Sequence, residues 1–149
     1  MTPPLIDKYF TPEQKEDIRR AIMNAELESS GEIKIHIENI CKGDVMDRAT
    51  QVFNALGMDK TRLRNGVLIY LALKNRKFAI IGDVGINAVV PNDFWEGIKQ
   101  FMLNHFREGN FAEGLCEAIA IIGKQLGIHF PRKKSDINEL SDEISYNNN

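Results

Sequence analysis

The sequence has little of what marks membrane, disulfide-linked or nucleic-acid-binding proteins. Its only two cysteines, Cys41 and Cys116, lie far apart and outside any C-x-x-C motif, which predicts free thiols in a reducing compartment. No apolar run approaches the roughly 20 residues that a bilayer-spanning helix needs, and the first residues lack the pattern of a signal peptide. With 19 basic and 21 acidic residues, the net charge of -2 does not favour nucleic acid or anionic lipid. We therefore expect a cytoplasmic protein with no membrane segment and no nucleic-acid partner.

The common catalytic and cofactor motifs are also missing. There is no G-x-S-x-G nucleophile elbow, no Walker P-loop, no dinucleotide-binding G-x-G-x-x-G at a helix start and no EF-hand loop. The three histidines lack the H-x-x-x-H spacing of a zinc site, and His36 is predicted to lie on the solvent-exposed face of a strand. No residue can be named as catalytic from these patterns.

Hydrophobic periodicity predicts a single α/β domain from the 149 residues. The predicted order is helix, strand, helix, strand, strand, helix, helix. Ile33, Ile35 and Ile37 alternate with polar residues, as in an edge strand with one solvated face, whereas residues 67–73 are apolar throughout, as in a central strand. A right-handed crossover makes the first two strands parallel, and the short turn at residues 74–76 makes the third antiparallel. We expect a three-layer α/β/α sandwich, with a small mixed sheet flanked by about four helices.

The domain is predicted to span residues 1–130, followed by a flexible polar C-terminal tail at residues 131–149. The only sizeable aliphatic side chains of this tail are Ile137, Leu140 and Ile144, too few to repay the entropy of ordering it. Their helical spacing leaves open that one short turn docks onto the domain.

Oxygen-bearing side chains are predicted to gather at one edge of the sheet. Glu32 begins the first strand, Asp59 and Asn65 precede the second, and Asp83 follows the third. Carboxylate, amide and carbonyl oxygens suit calcium, or magnesium as a second candidate, better than zinc. We predict a calcium site with Asp83 as the surest ligand and Asp59, Glu32 and Asn65 as the others. The alternatives are that Asp83 and Asp59 cap local turns and that Glu32 pairs with Arg64.

Several segments together resemble the TPM domain family over residues 30–130. They are G-E-I-K-I-H-I at residues 31–37, the segment from Asn65 to Lys77, Gly85 with Ile86, and F-R-E-G-N-F-A-E-G-L at residues 106–115. The chain looks like a short, stand-alone bacterial member. Family members often carry Gly-Tyr-Gly-Leu-Glu after the third strand, where this chain has Asp83 in place of a glycine and Asn87 in place of the acid.

The resemblance implies a Rossmann-like α/β/α sandwich and a divalent-cation site, since some members bind calcium. An acid phosphatase activity has been ascribed to a plant member. We expect a monomeric, cation-binding module that serves as a protein-interaction or regulatory domain. The alternative is a metal-dependent acid phosphatase in which Arg64 grips phosphate and Asp83 holds the ion.

Overall fold

The computed structural model describes residues 3–132 and 141–149. Helices and strands alternate as expected along most of this length, with additional short helices. The elements are α1 (Ile6–Tyr9), α2 (Pro12–Leu27), β1 (Glu32–Glu38), α3 (Val45–Ala55), a 3₁₀ turn (Met58–Lys60), β2 (Gly66–Ala72), β3 (Lys77–Gly82), α4 (Val84–Asn87), α5 (Phe94–Arg107), α6 (Phe111–His129) and β4 (Ser145–Asn147).

The four strands form one mixed sheet in the order β3-β2-β1-β4. β1 is parallel to both β2 and β4, while β2 is antiparallel to β3. Ile69 of β2 lies opposite Ile35 on one side and Ile80 on the other. The predicted interior position of β2 is therefore confirmed.

Each face of the sheet carries its own apolar core. On one face, Ile35 and Ile69 pack with side chains of α2, α5 and α6. On the other face, Leu68 and Tyr70 pack with Val52 and Phe53 of α3 and with Met58 of the 3₁₀ turn. This arrangement confirms the three-layer α/β fold, and no helix in the described part of the chain is both long and apolar enough to cross a membrane.

The prediction that β1 is an edge strand with one solvated face is wrong. β4 pairs with its outer edge, and all seven residues of β1 are buried. His36, predicted at the surface, is only 7% exposed. Alternation misled here because polar side chains of β1 are buried with hydrogen-bond partners. Lys34 donates to the carbonyl of Ser141, and His36 lies within hydrogen-bond distance of Ser145 and Glu38.

The C-terminal segment also departs from the expected flexible tail. Ser145, Tyr146 and Asn147 form a strand, and Ile144 packs at the margin of the larger core. Backbone pairing and hydrogen bonds of side-chain amides hold the segment. Its low content of apolar residues was therefore a poor guide to whether it is ordered. Ile137 and Leu140 lie outside the described residues. Cys41 and Cys116 are both free thiols, as expected.

Candidate functional site

The predicted cation ligands lie at the edge of the sheet where β1 and β2 begin and β3 ends. Glu32 is the first residue of β1 and is in register with Gly66 at the start of β2. Asn65 immediately precedes β2, and the backbone N–H of Asp83 donates to the carbonyl of Gly66 at 2.9 Å. Asp59 lies in the 3₁₀ turn that leads into this edge.

Asp83 is held by an arginine and by the helix that follows it. Its Oδ2 accepts from Arg64 Nε at 2.7 Å and its Oδ1 from Arg64 Nη2 at 2.9 Å, which makes a bidentate pair. Oδ1 also accepts from the backbone N–H of Val84 at 2.7 Å, so Asp83 caps α4. The carboxylate is only 6% exposed. Asp83 therefore caps a helix, which was the alternative to its role as a ligand. It also forms the ion pair with Arg64 that the sequence suggested for Glu32.

The backbone around Arg64 fits closely against α4. Arg64 adopts a φ of 52°, in the left-handed region that few non-glycine residues enter. Its carbonyl accepts from the N–H of Gly85 at 2.7 Å. A Cβ at Gly85 would lie 2.2 Å from the carbonyl oxygen of Leu63, so a side chain there would push the two loops apart.

Asp59 acts electrostatically on the same guanidinium. Hydrogen bonds and the negative charge of Asp83, followed by the charge of Asp59, raise the pKa of Arg64. The Oδ1 of Asp59 is buried and has no hydrogen-bond partner among the described residues. Buried carboxylate oxygens are normally paired, so this atom indicates a position where a ligand can bind.

The other two predicted ligands belong to a neighbouring group of side chains. Asn65 donates from Nδ2 to Ser30 Oγ at 3.4 Å. Glu32 lies beside Glu26, whose Oε2 accepts from the backbone N–H of Ile33 at 2.9 Å. Burial raises the pKa of Glu26 well above its ordinary range, and the nearby carboxyl groups of Asp142 and Glu32 act in the same direction.

Asp83 is thus paired with Arg64, and Asp59 acts electrostatically on the same guanidinium. Glu32 and Asn65 lie at the same edge of the sheet but have Glu26 and Ser30 as their neighbours. No three or more His, Cys, Asp or Glu side chains are grouped so as to hold a metal within the described ranges. A cation at this edge would have to draw on the Asp59–Asp83 pair, supplemented by backbone carbonyls and water. Such a mixed oxygen set fits calcium.

A second polar cluster, which the sequence reasoning missed, lies at the other end of β1. Glu38 has no exposed surface and accepts hydrogen bonds from Tyr70 at 2.6 Å, from His36 at 3.1 Å and from Arg48. Burial alone would raise the pKa of Glu38, but these donors, Arg48 first, hold it at about 2. Burial lowers the pKa of His36. The available signal was Tyr70 within an otherwise aliphatic strand, since a buried phenol requires a polar partner.

Most of the chain is similar to one protein family and to solved structures. The family model of the TPM domain matches residues 6–125. The NMR structure of the BA42 protein from the psychrophilic bacterium Bizionia argentinensis is similar to this chain, with 45% identity and a TM-score of 0.88 over 95% of this chain and 98% of that one. No curated protein matches the sequence.

Two more distant NMR structures share the fold. The N-terminal domain of a protein from P. gingivalis has 23% identity and a TM-score of 0.68, over 83% of this chain and 82% of that one. The N-terminal domain of a Corynebacterium glutamicum protein has 14% identity and a TM-score of 0.63, over 78% and 74%. With the family match covering most of its length and the sheet and helices arranged as in these structures, the chain belongs to the TPM domain family.

Proposed function

We propose that this protein is a non-catalytic module that binds a divalent cation, calcium in preference to magnesium, between Asp59 and Asp83. The observation that carries the proposal is the buried Oδ1 of Asp59, which has no hydrogen-bond partner among the described residues and lies near the Arg64–Asp83 pair. Glu32 and Asn65 are secondary ligands in this proposal because their neighbours are Glu26 and Ser30.

The exposure of the side chains at this edge bears on how a cation could enter. Two carboxylates, Asp59 and Asp83, act on the Arg64 guanidinium. The Arg64 side chain is 48% exposed, whereas that of Asp83 is 5% exposed. Arg64 is therefore the partner that can move into water while the carboxylates stay in place.

The expected affinity is weak. Few charged ligands are available, and Arg64 competes with the ion for Asp83, so we expect a dissociation constant on the order of 10⁻⁴ to 10⁻³ M. Calcium is favoured because it accepts six to eight oxygens in irregular geometry, while magnesium demands a tight octahedron.

The test is a calcium titration followed by backbone NMR shifts and by thermal unfolding. Binding to the folded state alone should raise the melting temperature of the wild-type protein and shift the amides of residues 57–65 and 83–85. Asp83→Asn and Asp59→Asn should each weaken binding by about tenfold or more, since each removes one of two charged ligands. Arg64→Gln should strengthen it, because the competing charge is gone.

Asp44→Asn is the matched control. Asp44 caps α3 through its bond to the Asp47 N–H, as Asp83 caps α4, and asparagine caps a helix about as well as aspartate. Calcium-induced shifts and stabilisation that are equal in the wild type, Asp83→Asn and Asp59→Asn would refute the proposed site.

The phosphatase alternative receives less support from the geometry. Arg64 donates from Nε and Nη2 to Asp83, which is the residue that would hold the ion. These two donors are therefore not available to bind a phosphate group. The test is turnover of a generic phosphate ester in the presence of magnesium or calcium. Turnover that is lost in Asp83→Asn and kept in Asp44→Asn would favour a phosphatase over a non-catalytic binding module.

A further inference from the structure

A cavity of about 460 Å³ opens at the other end of the sheet from Asp83. It lies where β2 ends, β3 begins, and the end of α5 meets the start of α6. Leu71 and Leu73, both buried, contribute to its apolar lining. Since β2 extends from Gly66 to Ala72, about 20 Å of strand separates this cavity from the candidate cation site.

Four aromatic rings form a continuous row along the cavity. The ring centroids of Tyr9 and Phe111 are 5.1 Å apart, those of Phe111 and Phe106 are 5.2 Å apart, and those of Phe106 and Phe78 are 5.3 Å apart. All four side chains are half-buried, so part of each ring remains accessible to a ligand. Such a wall suits a planar apolar group, which packs edge-to-face or offset against aromatic rings.

The polar side chains that line the cavity are basic, apart from the Tyr9 hydroxyl. Arg76, Lys77 and Arg107 contribute to the lining, and none of the acidic residues that the structure describes does. Arg76 and Arg107 are exposed and form no ion pair within the described parts of the chain, whereas Lys77 donates to the carbonyl of Gly43 at 3.3 Å. Two guanidinium groups beside an apolar cavity make a site that is complementary to one negative charge on an apolar body.

The backbone at the cavity mouth supports a role for Arg76. Arg76 closes the β2–β3 turn with a φ of 52°. The left-handed region is unfavourable for a non-glycine residue, and a glycine would adopt it without strain. Arg76 lines the same cavity as Phe106, Arg107 and Phe111.

We propose that this cavity binds a small aromatic carboxylate, whose ring lies along the row from Tyr9 to Phe78 and whose carboxylate pairs with Arg76 and Arg107. A cavity of this volume falls within the range of small-molecule sites. The two guanidinium groups favour a negatively charged ligand, and the four aromatic rings favour an aromatic ring in that ligand.

The test is an NMR titration of the whole protein with naphthalene-2-carboxylate. A ligand of this size should bind with a dissociation constant on the order of 1 mM. The shifts should concentrate at residues 71–78 and 106–111 and spare residues 57–65. Neutral 2-naphthylmethanol should bind about tenfold more weakly, because it lacks the charge, and inorganic phosphate should produce no saturable shifts in the cavity.

Arg76→Gln and Arg107→Gln should each weaken binding of the carboxylate by about threefold to tenfold. Arg20→Gln is the control, since Arg20 is an exposed arginine on α2 that does not line the cavity. Leu103 of α5 also lines the cavity, so Leu103→Trp should fill it and abolish binding with little change in the unfolding midpoint.

Three results would overturn the proposal. One is equal binding of the acid and the alcohol, which would show that the negative charge of the ligand contributes nothing. Another is equal binding by the wild type, Arg76→Gln and Arg107→Gln, which would show that the guanidinium groups do not hold the ligand. The third is a set of cavity shifts that grow with protein concentration without ligand, which would make this face an interface between two copies.

Discussion

Glu26 illustrates at the scale of one residue how burial changes the protonation of a carboxyl group. It lies at the end of α2 and is 5% exposed. Burial, together with the nearby carboxyl groups of Asp142 and Glu32, raises its pKa far enough that the folded protein holds this group protonated at neutral pH. The unfolded chain releases the proton above its ordinary pKa of about 4.5, so the stability of the fold falls as pH rises beyond that value.

Glu26→Gln should therefore stabilise the protein at neutral pH. Glutamine keeps the shape and the acceptor for Ile33, its NH₂ group replaces the protonated oxygen as a donor, and no proton has to be taken up on folding. The gain in the free energy of unfolding at pH 7 is at most about 3 kcal/mol, and it should vanish near pH 4. Urea unfolding at both pH values measures it, with the exposed Glu28→Gln as a control. A gain that is equal at both pH values would contradict a buried, protonated Glu26.

At the scale of an element, β4 shows how a polar segment can be held without much apolar burial. Its backbone pairs with residues 36–38 of β1. Ser145 Oγ lies 2.7 Å from His36 Nδ1, and Asn149 exchanges bonds of 2.9 and 2.8 Å with the backbone of Ile40. Each such bond contributes about 0.5–1.5 kcal/mol net, less the entropy of ordering the segment.

Removal of residues 145–149 should lower the free energy of unfolding by about 2 kcal/mol, because the outer edge of β1 loses these bonds and its polar side chains become solvated. Hydrogen exchange should accelerate at the amides of Ile37 and Asn39. A chain that carries a Gly-Ser segment of the same length in place of residues 145–149 should behave like the truncation. Unchanged protection and stability in both variants would show that β4 contributes nothing to the fold.

At the scale of the whole molecule, one strand couples the two cores. Neighbouring residues of β2 point to opposite faces, so Leu68 packs against α3 while Ile69 packs against α2, α5 and α6. Both side chains have no exposed surface. The two layers of helices therefore share the same sheet and are expected to unfold together.

Leu68→Ala and Ile69→Ala should each lower the free energy of unfolding by about 2–5 kcal/mol through lost burial and a cavity. Both should keep a single transition, in which far-UV circular dichroism and the fluorescence of Trp95, the one tryptophan, coincide. Separated transitions in either variant would show that the two faces fold independently. Val89→Ala, at an exposed side chain, is the control.

Local patterns in the sequence were sufficient to predict most of the elements. Thr11 and Gln14 form a capping box at the start of α2, and this pattern of a threonine followed three residues later by glutamine is readable from the sequence alone. The unbroken apolar run of residues 67–73 identified an interior strand, because a strand covered on both faces needs no polar side chains. The crossover and hairpin rules then set the directions of three strands, and these directions placed Glu32, Asp59, Asn65 and Asp83 at one edge of the sheet.

The contacts across the chain were decided only by the tertiary structure. Whether β1 is an edge strand depends on a segment more than a hundred residues later, since Ser145 pairs with His36. Polarity alone cannot distinguish a side chain that faces water from one that is buried with a partner, and so the environment of Glu38 was missed. In the same way, the sequence placed Asp83 at the correct edge, but only the folded chain determined that Arg64 is its partner, because that pairing depends on where two loops meet in space.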